Sequence, residues 1–156
     1  ALMTAQGVER TSERTRDYLR ECIGDPVEVL PGGTSMRFPF GSTQVTVEIG
    51  EDETRSTTFV HLRAAIADDV PITEELYRWL ATASDEFLFG RVALTPTTET
   101  GAREPSCQLR LQHTLLGDYL DLEELRWAVA SLATAADHLD DVVVMRFGGR
   151  RFVDTD

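Results

Sequence analysis

The chain has 156 residues and a formal net charge of −12, with 42% hydrophobic and 27% charged residues. These values suit one globular domain with a real core and exclude a disordered chain. An acidic surface repels phosphate backbones, so no nucleic-acid partner is expected, and no apolar run reaches the roughly 20 residues needed to span a bilayer, so no membrane role is expected either.

The start, Ala1-Leu2-Met3-Thr4-Ala5-Gln6, lacks a basic region followed by an apolar run, so no signal peptide is expected and Met3 reads as the native start. All 15 basic residues are Arg, and the chain has neither Lys nor Asn, which points to a high-GC genome. Cys22 and Cys107 stand far apart and outside any CxxC pair, as expected of free thiols in a reducing cytoplasm.

Val8 to Ile23 reads as a helix. Val8, Ser12, Thr15, Leu19 and Cys22 form a weakly apolar stripe, and Glu9, Glu13, Asp17 and Glu21 an acidic, solvated row. Gly24-Asp25-Pro26 ends it. Four strands are expected next. Val27 to Leu30 closes at Pro31-Gly32-Gly33. Ser35 to Phe40 alternates through Met36, Phe38 and Phe40, with Pro39 placing it at an edge or at its end. Val45 to Ile49 and Thr57 to Ile66 complete a meander joined by short turns.

Thr73 can cap a helix whose inner face is Leu76, Leu80, Ala83 and Phe87, flanked by Trp79. Arg91 to Thr95 is a strand, Pro96 to Pro105 a loop, and Cys107 to Leu116 the last strand. Asp121 and Glu124 form a capping-box-like pair that opens a final helix. Leu122, Leu125, Val129, Leu132, Ala136 and Leu139 lie along one stripe of it, and Gly148-Gly149 stop it. The order α-β-β-β-β-α-β-β-α predicts a two-layer α+β domain with helices packed on an antiparallel sheet.

No sequence motif supports catalysis. His61, His113 and His138 lack metal-ligand spacing, and no GxSxG, GxxxxGK[ST] or GxGxxG occurs. Cys107 and His113 could form a thiol–base pair only if register brought them together. A non-catalytic protein without cofactor or metal is therefore expected. Exposed aromatic residues are the candidates for a partner surface. Trp127 is the foremost, because it lies about 200° around the helix from Leu125, away from the apolar stripe. Trp79, Tyr119, Phe38 and Phe40 follow.

Asp69-Val70-Pro71, Phe89-Gly90-Arg91, His113-Thr-Leu-Leu-Gly-Asp118, Leu122-Glu-Glu-Leu125 and Leu139-Asp-Asp141 through Arg146-Phe-Gly-Gly149, in this order, resemble the actinobacterial YbjN-like domains. Those domains are similar to class I type III secretion chaperones and are grouped with them as peptide-binding, TY-Chap-type domains. The resemblance covers roughly residues 8 to 151, a single domain. It implies a cytoplasmic, non-catalytic homodimer that holds an extended segment of a partner protein. The alternative is a regulatory adaptor, of the sensory transduction regulator type, that acts through a folded partner or through its homodimer interface.

Overall fold

The computed structural model describes residues 2–97 and 104–155; residues 98–103, within the expected loop, lie outside the described residues. Its elements are α1 (Leu2–Cys22), β1 (Glu28–Val29), β2 (Ser35–Phe40), β3 (Thr43–Asp52), β4 (Thr57–Pro71), α2 (Glu74–Ala83), β5 (Arg91–Pro96), β6 (Ser106–Leu116) and α3 (Leu122–Phe147). Short 3-10 turns follow α2 and α3. The six strands form one sheet in the order β1-β2-β3-β4-β6-β5, and every pairing is antiparallel. This is the expected two-layer α+β fold.

Alternation builds the core. Met36 and Phe38, Val45 and Val47, Val60, Leu62 and Ala64, and Leu109 and Leu111 all turn to one face of the sheet and are buried. Leu125, Val129, Leu132, Ala136 and Leu139 of α3 cover that face, as their spacing predicts. Leu19 of α1 and Leu76 of α2 join the same core. α1, α2 and α3 thus all pack on this one face of the sheet.

The caps are those the sequence announces. The Leu76 amide donates to Thr73 Oγ1 at 3.1 Å, and the Glu124 amide donates to Asp121 Oδ1 at 2.8 Å. Gly148, at φ 88°, ends α3 and donates its amide to the Val144 carbonyl.

Three elements depart most from expectation, and the first is α2, which ends at Ala83 and leaves Phe87 outside the helix. β4 runs five residues past Ile66, to Pro71. Its pairing with β6 shifts register between Ala65 and Ala67 and again between Ala67 and Val70, which buries Ile66 and Ala67 in succession and erases the alternation there. α1 begins at Leu2 rather than at Val8, and Thr11 joins the expected Ser12 and Thr15 on its inner face. Thr11, Ser12 and Thr15 are buried with Leu19, and Thr11 Oγ1 lies 2.9 Å from Thr58 Oγ1 on β4. Pro39 falls beyond the two residues of β2 that β1 covers, so its missing N–H costs no ladder bond there.

The β2–β3 hairpin turns on Gly41-Ser42, with Gly41 at φ 54°, the backbone a II′-type turn asks of its first residue. This turn is tied to α3. Asp137 Oδ1 accepts from the Ser42 amide and from the Ser42 hydroxyl, both at 2.7 Å, and the same hydroxyl meets the buried Asp140 carboxylate. These Ser42 hydrogen bonds hold the Asp137 carboxyl below its ordinary value of 3.8. A carboxyl lowered in the folded state stabilises the fold above its unfolded pKa and loses that contribution as pH falls through the folded value. Asp137→Ala should therefore cost about 1 kcal/mol at neutral pH. The difference from wild type should shrink below pH ~3.8, as read from thermal unfolding across a pH series.

Candidate partner-binding groove

α2 and α3 both pack on the helical side of the sheet. Trp79 of α2 meets Phe147 at the end of α3 with ring centroids 5.5 Å apart and planes inclined by 51°. Arg146 stacks its guanidinium 5.0 Å from the Phe147 ring centre and reaches Glu75 of α2 at 3.2 Å. These contacts join the two helices at one end.

Beside that junction α3, Trp79 of α2 and the turn after α2 leave a groove of about 840 Å³. Trp79, Phe87 and Trp127 form its aromatic walls, Leu139 and Val142 add aliphatic surface, and Ala130, Ser131, Thr134 and Ala135 make a floor of small side chains. Glu86 and His138 supply polar groups to the lining.

The groove follows from a second stripe on α3. Residues 127, 131, 134, 138, 142 and 145 lie within about 80° of one another at 100° per residue, behind the core stripe. Trp127 is 62% exposed and Met145 88%. Large apolar side chains left in water beside a trough of small ones offer a seat for apolar side chains of another molecule.

Of the aromatic candidates, the structure brings two together, Trp127 and Trp79. Tyr119 is 80% exposed in the β6–α3 turn and does not line the groove. Phe38 is 1% exposed, inside the core between sheet and helices, where it cannot meet a partner without unfolding. Phe40 is half-buried and packs on the core. Val142 and Met145 escaped the sequence reading, although both fall on the Trp127 side of α3. Phe87, expected on the inner face of α2, instead lies beyond the end of that helix at Ala83 and lines the groove.

Cys107 and His113 both face the helical layer, but six residues along one strand put them about 20 Å apart. Burial pushes the Cys107 thiol up to about 11, so it is protonated and inert at neutral pH. Among the described residues, no group of three or more His, Cys, Asp or Glu is placed to hold a metal ion. No helix among them is long and apolar enough to cross a membrane.

Residues 9–155 match the family described as T3SS (YopN, CesT) and YbjN peptide-binding chaperone 1. The chain belongs to this family of peptide-binding chaperones. The structure is similar to a chain in the crystal structure of the ExsC–ExsE complex, with a TM-score of 0.57 at 18% sequence identity, covering 87% of this chain and 95% of that one. At that identity the likeness carries the fold, which is that of a secretion chaperone. No match is found among curated proteins.

Proposed function

We propose that this peptide-binding chaperone-like chain holds an extended segment of a partner protein in the α2–α3 groove, without catalysis, cofactor or metal. One observation carries the reading: two tryptophans, Trp79 and Trp127, face a trough of small residues on a chain whose net charge is −12. Tryptophan is the residue most often found dominating the energetics of protein interfaces, and a small-residue floor admits side chains from the bound segment. The neighbouring fold in the ExsC–ExsE complex supports a protein partner. The free thiols Cys22 and Cys107 support a reducing, cytoplasmic setting.

The test is selection of binders from a random-peptide display library, followed by affinity measurement against wild type and Trp127→Ala. The substitution should weaken the selected peptides about 10-fold, which corresponds to roughly 1.4 kcal/mol. Peptides that bind wild type and Trp127→Ala equally would sink the groove as the binding site.

A second reading has its own observation. Val142 and Met145 carry the exposed stripe beyond Trp127, over about 27 Å of helix. Two copies of α3 crossing on this stripe would make a homodimeric adaptor that meets a folded partner elsewhere. Native mass separates the two. A dimer that Trp127→Ala converts to monomer favours the adaptor; an unchanged mass with lost peptide affinity favours the holder.

A further inference from the structure

The sheet face opposite α1, α2 and α3 has a charge pattern opposite to that of the chain. Its register aligns Arg37 of β2, Thr46 of β3, Arg63 of β4, Gln112 of β6 and Arg91 of β5 in one row across the strands. Arg110, two residues from Gln112 on β6, stands beside Ala65 and Ala93, whose small side chains leave it room. The central rows thus hold four guanidinium groups against two carboxylates, Glu28 and Glu48, in a chain of net charge −12.

The two carboxylates are already committed. Glu28 pairs with Arg37 at 2.7 Å and Glu48 with Arg63 at 3.2 Å. Asp52, at the far end of β3, bonds back to the Thr54 amide at 3.0 Å. Arg110 meets only the neutral Gln108 amide oxygen, at 2.8 Å, and Arg91 forms no ion pair among the described residues. A shallow depression of about 370 Å³ runs between Arg63 and Arg110, over Ala93 and Gln112. The face therefore keeps uncompensated positive charge next to accessible space.

We propose that this sheet face is a docking surface for an acidic helical segment of a partner protein. It is distinct from the α2–α3 groove and does not depend on it. Arg37, Arg63 and Arg91 sit on every second strand, so about 9.5 Å separates each from the next. Carboxylates seven residues apart on a helix repeat every ~10.5 Å, which lets one helix laid across the strands pair with Arg91 and share Arg63 and Arg37 with Glu48 and Glu28. Bidentate guanidinium–carboxylate pairing supplies the specificity, since all the cations are Arg. A nucleic acid fits less well: a long polyanion overruns the face and meets the acidic surface around it.

The probe is a fluorescein-labelled Ala/Glu peptide of about 15 residues with glutamates seven apart, long enough at roughly 22 Å to cross from β2 to β5. Anisotropy at low salt should show micromolar binding, at least 10-fold weaker when ionic strength rises to about 0.3 M. Arg91→Glu/Arg110→Glu should abolish it, Arg91→Gln should weaken it several-fold, and Trp127→Ala should leave it unchanged. The single Gln variant serves if the double variant melts early by circular dichroism. The proposal is overturned by no binding at low salt, by equal binding of a Gln-for-Glu peptide, or by affinities indifferent to Arg91 and Arg110. A single-stranded oligonucleotide of equal charge that binds as tightly would assign the face to nucleic acid instead. A native dimer split by the charge reversals would assign it to a second copy of this chain.

Discussion

Leu132→Ala is expected to lower the free energy of unfolding by about 3 kcal/mol, within the range for deleting a fully buried leucine. Leu132 has no solvent exposure and lies at the middle of α3, the helix that covers β4 and β6. A methyl on Gly90 would stand 2.9 Å from Leu132 Cδ1, which shows how closely the backbone before β5 closes on this side chain. The truncation should therefore leave most of its cavity open, where the cost is highest. Thr134→Ala, exposed on the groove floor two residues further along the same helix, should change stability by no more than about 0.5 kcal/mol. Chemical denaturation of the three proteins, with the slope m compared alongside the midpoint, measures both effects.

That contrast between Leu132 and Thr134 explains how much was legible from sequence. A core stripe is written in residue type, so Leu125, Val129, Leu132, Ala136 and Leu139 identify the buried side of α3 without any knowledge of the fold. The sheet's inner face is written the same way, in the period of two from Val45 to Ile49. A groove is written in the absence of bulk, and Ala130, Ser131 and Thr134 look like an ordinary helix surface until α2 brings Trp79, and the turn after it Phe87, to the same groove. Phe38 shows the converse. Aromatic type alone could not separate a partner contact from core, because burial depends on which face the β2–β3 register turns inward. The extension of β4 was hidden for a related reason, since a bulge breaks the alternation that marks a strand while the ladder continues.

The cross-sheet arginine row depended on register even more strongly. Arg37, Arg63 and Arg91 are each flanked in sequence by unlike neighbours and carry no common motif. Only the antiparallel pairing of five strands places them on one line. Surfaces assembled across strands in this way have no sequence period, whereas the Trp127 stripe, confined to one helix, has one.

Thr134→Trp should abolish capture of display-selected peptides, with a loss of at least 100-fold, or about 2.7 kcal/mol. Thr134 lies on the groove floor on the same side of α3 as Trp127, and its side chain is exposed, so a bulky replacement enters the trough rather than the core. Threonine and tryptophan have similar helix propensities, which keeps α3 intact. Truncating Trp127 removes one wall and leaves the remaining contacts in place, whereas filling the trough denies the bound segment all of them at once. The larger loss from the filling variant is what a groove requires. A flat apolar patch predicts the reverse order, because an added indole there enlarges the contact surface and should tighten binding. Isothermal titration of one selected peptide against wild type, Trp127→Ala and Thr134→Trp decides between these geometries. A Thr134→Trp protein that unfolds at the wild-type temperature but binds as well as wild type would remove the groove as the seat of the peptide, whatever Trp127→Ala does.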